Sequence, residues 1–155
     1  MRIKFKIIGK KEEKQIVNFL AEYGIKISPN FVFLRAEKKI FIAPRESVNF
    51  LPLAIRAGFY LGKLEHGGFR LSFDATQLFA TQIKKFISIN DDEFAKWMQG
   101  LSLKKEKKEA KEEGFIVLKH NNDFLGCGLI KKNKYIKILN YTPKERRIKE
   151  NKEER

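Results

Sequence analysis

The stretch from Trp97 to Arg147 constrains this chain most. It reads as a short helix, a charged loop and a hairpin whose second strand is interrupted by Gly126-Cys127-Gly128, with a basic exit behind it. Residues 115–120 and 124–130 are β-rich runs on either side of Asn121-Asn122-Asp123, and residues 135–139 add a further strand. An isolated hairpin is marginal in water, so these strands need a larger sheet with one buried face. Between helix and hairpin, Lys104 to Glu113 holds five Lys and four Glu. That near-neutral run predicts a solvated loop.

The preceding residues supply the scaffold. Residues 3–8 alternate, with Ile3, Phe5 and Ile7 on one face, which predicts a strand. Residues 12–23 follow as a helix whose apolar stripe is Ile16, Phe19, Leu20 and Tyr23, ended by Gly24. Residues 31–36 and 39–43 form a hairpin across Glu37-Lys38. Pro44 suits the first position of a short helix, which Pro52 limits. A second hairpin joins residues 58–64 to 69–73 through His66-Gly67-Gly68. Asp74 is placed to cap a helix with the stripe Ala75, Leu78, Phe79, Ile83 and Phe86. Lys84-Lys85 marks a boundary between halves, after which residues 86–89 open a new strand. Asn90 and Glu93 have capping-box spacing ahead of a helix carrying Phe94, Trp97, Met98 and Leu101, with Gly100 at its end.

Composition narrows the partners. Thirty-three basic residues face nineteen acidic ones, a net charge of +14. Such an excess points to a nucleic acid or an anionic surface. With 43% hydrophobic residues, the chain can still build a core. The single cysteine excludes an intramolecular disulfide. No apolar run approaches the ~18 residues of a spanning helix. The start lacks the continuous apolar segment of a signal peptide, so a soluble cytoplasmic protein is expected.

Catalytic chemistry finds little support. Cys127, His66 and His120 do not make the compact ligand set that zinc needs, and no phosphate-binding glycine loop is present. No metal and no cofactor are expected. Cys127 and His120 fall on neighbouring strands, but a thiolate nucleophile needs a base oriented by a third group, and none is evident. A buried structural thiol is the simpler reading.

Phosphate binding is the chemistry the residues favour. The candidate contacts are Lys119, Lys131, Lys132, Lys134, Lys137, Lys144, Arg146 and Arg147. Gly126 and Gly128 would let a ribose-phosphate backbone approach main-chain amides. Trp97, Phe124 and Tyr141 are candidates for base stacking, although residues of each type more often belong to a core, Trp97 and Phe124 above all.

The residue blocks also carry a resemblance. Residues 53–63 (Leu-Ala-Ile-Arg-Ala-Gly-Phe-Tyr-Leu-Gly-Lys) and 69–72 (Phe-Arg-Leu-Ser) resemble the start of the RNA-binding PUA-like module that ends Sun-family (RsmF-type) rRNA cytosine-C5 methyltransferases. Residues 97–103, 125–128 and 141–147 resemble its later blocks, in the right order, so that the likeness runs from about residue 15 to 147. The layout is also similar to the Nip-family ribosome-biogenesis factors, which join an α/β domain to a PUA domain. The resemblance implies a stand-alone relative with a PUA pseudobarrel. It places RNA contacts at Gly100 to Lys105 (Lys104 and Lys105 included), at Gly126 to Gly128, and at the Lys144/Arg147 exit. The chain departs from the family in having no methyltransferase domain, no S-adenosylmethionine loop and no catalytic cysteine pair, and in carrying Leu139-Asn140 where the family has Lys-Asn. Methylation by this chain alone is therefore not expected.

The resulting expectation is an α+β protein: a small N-terminal α/β domain over residues 1–84, packed on a PUA-like β-pseudobarrel over 85–150, with a frayed tail at 151–155. It is expected to bind structured rRNA or tRNA without catalysis, in ribosome biogenesis or RNA modification. The rival expectation is an adaptor that docks a separate rRNA methyltransferase or pre-ribosome protein, RNA being secondary. A monomer is expected, although the strand alternation fits a dimer equally.

Overall fold

The computed structural model of the protein describes residues 4–47, 58–66, 68–105, 112–132 and 135–148. Two five-stranded sheets form the frame of these residues. The first is an antiparallel meander in chain order: β1 (Lys6–Ile7), β2 (Phe31–Ala36), β3 (Lys39–Pro44), β4 (Phe59–Glu65) and β5 (Gly68–Leu71). Helix α1 (Lys10–Tyr23) connects β1 to β2, and Gly24 ends it in the left-handed conformation at φ 94°. Its Ile16, Leu20 and Tyr23 pack with Phe33, Ile40, Leu61 and Phe69 of the sheet, as the helical stripe predicts. Because each of these strands pairs antiparallel with its neighbour, the N-terminal half is α+β in character, and the α/β label expected for it does not hold.

The second sheet runs β6 (Phe86–Ser88), β8 (Gly114–His120), β9 (Asp123–Lys132), β10 (Ile136–Asn140) and β7 (Leu103–Lys105) in spatial order. Only β6 and β8 are parallel within it. Helix α3 (Asp91–Met98) lies between β6 and β7 in the chain. It opens with the anticipated capping box, in which Glu93 N–H donates to Asn90 and Asn90 N–H donates to Glu93. Trp97 is fully buried among Ile87, Leu103, Leu118, Leu125, Ile130 and Ile138. All five strands thus contribute to one cluster, and the sheet curls around the helix-borne indole.

The two sheets share a core. Phe115, Val117, Phe124 and Cys127 of the second sheet join the cluster built on the first. Sheet two therefore buries both faces, one against α3 and one against the N-terminal half. This explains why β9 is apolar almost without alternation.

Several local expectations need correction. β1 is shorter than expected, and Ile7, on an edge strand, is 55% exposed while Ile8 enters the core. Ser72, not Asp74, caps helix α2 (Phe73–Leu78), its Oγ accepting from Ala75 N–H at 3.0 Å. That helix ends at Leu78, so the stripe does not continue to Phe86, which belongs to β6. Pro44 closes β3, and a 3-10 turn at 45–47 follows it. Lys104 and Lys105, expected in a loop, form the end of β7 because β10 offers them a pairing edge. The expected limits at Pro52, the turn residue Gly67, the loop at 106–111, Lys134 and the tail at 151–155 lie outside the described residues.

Candidate nucleic-acid interface

The exposed end of sheet two carries a row of lysines. In the strand register Lys137 of β10 stands opposite Lys104 of β7 on one side and Lys131 of β9 on the other. All three are exposed. Strand spacing of about 5 Å sets them shoulder to shoulder. The alternation that buries Ile136 and Ile138 turns Lys137 to the opposite face. Among the described residues neither Lys131 nor Lys137 has an ion-pair partner, whereas the Lys104 ammonium lies over the half-exposed Tyr135 ring at 4.7 Å. Like charges placed directly opposite one another cost stability, so the row is unfavourable for the isolated fold.

The other expected contacts are placed differently. Lys105 is paired with Glu93, Nζ to Oε2 2.7 Å, and its side chain is 8% exposed. The Lys119 ammonium sits over Phe86 and Phe124, at 4.9 and 5.5 Å from the ring centroids. Lys132 is exposed on β9 and its backbone N–H donates to Glu113. Lys144 is exposed at the start of the 3-10 turn Lys144–Arg146. Arg146 makes a two-point bond to Asp74, 3.0 and 2.8 Å, and this pair keeps its guanidinium charged. Arg147 donates from Nε to Thr142 O at 3.0 Å, and its guanidinium covers Gly100, where a Cβ would lie 2.6 Å from Cζ.

The glycines serve the interior. Gly126 is buried at φ 79°, donates its N–H to Thr76 Oγ1 at 3.0 Å and faces Phe73. Gly128 is buried against Trp97 and Ile138. The room left by the missing side chains is filled by the protein itself, not held open for a ribose-phosphate backbone. Trp97 and Phe124 are likewise core residues, at 0% and 5% exposure.

A nucleophilic Cys127 is also ruled out by position. Cys127 pairs with Val117 while His120 pairs with Asp123, so the two lie well apart along the hairpin. His120 instead meets Asp91 at 2.7 Å and stacks on Phe94. Burial pushes the Cys127 thiol up to about 12, and its Sγ–H donates to the Tyr23 hydroxyl at 3.9 Å. Among the described residues no group of His, Cys, Asp and Glu side chains could hold a metal ion. No helix among them is long and apolar enough to cross a membrane.

Sequence reasoning singled out several residues of a cleft where the two sheets meet but not that they meet there. Its volume is about 550 Å³, and its walls include Tyr60, Arg70, Phe73, Asp74, Tyr141 and Thr142. The Arg70 guanidinium lies 4.5 Å from the Tyr141 ring centroid and is held by two bonds to Glu65, each 3.2 Å. Residues of the resemblance blocks 69–72 and 141–147, among them the stacking candidate Tyr141 and the candidate contact Arg146, fall on the cleft's walls.

A curled sheet that wraps a tryptophan-bearing helix, with a basic row at its open end, defines a PUA-like β fold. Residues 84–148 match the family model of the methyltransferase RsmF PUA domain, and over them the protein is a relative of the PUA-like domain of Sun-family methyltransferases. The matched segment begins at residue 84 and so covers the later blocks of the anticipated resemblance, 97–103, 125–128 and 141–147, and not 53–63 or 69–72. PUA domains generally bind RNA and are non-catalytic, and no methyltransferase domain is matched. No curated protein gives a significant match to the chain.

Proposed function

We propose that this protein is a non-catalytic RNA-binding protein of the cytoplasm, holding structured rRNA or tRNA during ribosome biogenesis or RNA modification. The observation that carries this reading is the lysine row Lys104–Lys137–Lys131, presented by a PUA-like fold and left without acidic partners among the described residues. Lys132 and Lys144 extend the positive surface. Each lysine that neutralises a phosphate releases counterions, which makes the affinity steeply salt-dependent. Titration of an rRNA hairpin, a single strand and duplex DNA at several salt concentrations tests the proposal. The expected result is at least about tenfold tighter binding of the hairpin, with a log–log salt slope of several units. Equal, weak binding of all three overturns it. Copurification with an rRNA methyltransferase or a pre-ribosome protein under those conditions would then favour the adaptor.

A further inference from the structure

We infer that the cleft between the β4–β5 hairpin and the end of β10 receives one unpaired base of an RNA whose phosphates lie along the lysine row. This rests on the RNA-binding reading above.

The cleft's walls fit a base better than a phosphate. Its charged lining is balanced, with Arg70 and Arg146 against Asp74 and Glu145. Both arginines are already engaged, Arg70 by Glu65 and Arg146 by Asp74. An anion would find no unpaired cation there. Planar surfaces are plentiful: the rings of Tyr60, Phe73 and Tyr141, and the guanidinium of Arg70 already lying on Tyr141. Aromatic rings and arginine planes are the surfaces on which proteins stack bases extruded from RNA.

A second observation points to a ligand with hydrogen-bonding edges. Thr142 lines the cleft and is 3% exposed, and its Oγ1 has no hydrogen-bond partner among the described residues. A buried hydroxyl without a partner is costly, and such groups are uncommon away from functional sites. The backbone of Thr142 is fixed, its N–H donating to Asn140 Oδ1 at 2.8 Å and its carbonyl accepting from Arg147. The orphan hydroxyl is therefore held in place.

The cleft and the lysine row belong to one surface. Lys137, Leu139 and Tyr141 alternate with the inward-facing Ile136 and Ile138, and Leu129 and Tyr141 pack on the core shared with the N-terminal half. Four residue steps of extended chain lead from Lys137 to Tyr141, just past the end of β10, roughly 13 Å at about 3.3 Å per residue. A strand of about four stacked nucleotides covers that distance. One RNA can lay its phosphates on the row and turn a base into the cleft.

The test compares an RNA hairpin bearing a single bulged 2-aminopurine with the same hairpin fully paired. Wild-type protein is expected to bind the bulged form about tenfold more tightly and to change its 2-aminopurine fluorescence on binding. Thr142→Val keeps the shape and removes only the unpartnered hydroxyl. It should melt no lower than wild type, yet reduce the preference to about twofold while leaving affinity for the paired hairpin unchanged. Tyr141→Leu, checked for folding by Trp97 fluorescence, should abolish the fluorescence change. Equal binding of the two hairpins by wild type, with a normal salt slope, overturns the base cleft and leaves RNA binding standing. A preference unaltered by Thr142→Val also overturns the role given to this cleft. Failure to bind either hairpin overturns the RNA reading itself.

Discussion

Gly128 and Trp97 are in contact so close that a Cβ on the glycine would lie 2.8 Å from the indole Cη2 and 2.4 Å from Ile138 Cγ2. The indole is fixed from the other side, its Nε1–H donating to Leu125 O at 2.9 Å, so it cannot swing away. Gly128→Ala should therefore overpack the half-barrel and cost on the order of 1–3 kcal/mol, and Gly128→Val more. Urea unfolding followed by the fluorescence of the single tryptophan measures this directly. Because Gly128 is buried, the fraction that remains folded should bind RNA with wild-type affinity. Loss of affinity without loss of stability would return the glycine to the interface.

Asn140 ties the same helix to the exit strand. Its Nδ2 donates to Trp97 O and Leu101 O, both at 2.8 Å, and its Oδ1 accepts from Thr142 N–H. The Trp97 carbonyl also accepts from Gly100 N–H at 2.9 Å, so Asn140 adds a second bond at the end of α3 and reaches Leu101 beyond it. Asn140→Ala should lower stability by about 1–3 kcal/mol. It should also loosen the segment carrying Tyr141 and Thr142, seen as faster amide exchange at Thr142. Wild-type exchange there would show that the strand register alone holds the segment.

Short-range patterns in the sequence are informative and long-range ones are not. The stripe of α1, the Gly24 stop, the Asn90/Glu93 capping box and the hairpin around Asn121 are set by residues within a few positions of one another, and they are present as expected. The row Lys104–Lys137–Lys131 depends on the register of three strands separated by loops, which no periodicity in a single stretch encodes. Gly126 and Gly128 stand out in the sequence as special, but whether a missing side chain makes room for a ligand or for a tryptophan is decided only by what packs there. Arg146 looks free in the sequence because its partner, Asp74, lies 72 residues away. Asp74 in turn looks like a helix cap because Ser72, the actual cap, sits within one turn of it.

The buried pair Cys127 and Tyr23 makes the protein sensitive to alkali. Burial raises the thiol from its ordinary 9.0 to about 12, and burial likewise raises the Tyr23 hydroxyl, which donates to Phe69 O at 2.6 Å. In the unfolded chain both groups lose protons at lower pH than in the folded one. The folded state thus binds more protons, and stability falls as pH rises from about 9. The urea midpoint should be flat with respect to these groups up to about pH 8 and decline through about pH 9–11, less steeply in Cys127→Ala. Below the unfolding transition a disulfide reagent should leave the thiol unmodified. Rapid modification of native protein near neutral pH would contradict the burial.

Lys137 is the centre of the lysine row, and the row trades stability for charge. Replacing it with threonine, a residue suited to strands, removes repulsion from both Lys104 and Lys131. Lys137→Thr should raise stability by a few tenths to about 1 kcal/mol at low salt, a gain that fades as salt screens the row. The same substitution should weaken RNA binding several-fold and flatten the log–log salt slope by about 0.7–0.9, the share of one phosphate that is no longer neutralised. Arg146→Gln provides the contrast. Its guanidinium is already committed to Asp74 at two points, so the salt slope should hardly change. Opposite movements of melting temperature and affinity in Lys137→Thr, absent in Arg146→Gln, would separate a surface kept for an anion from a surface that merely reflects a basic composition. An unchanged affinity in Lys137→Thr would remove the row from the interface.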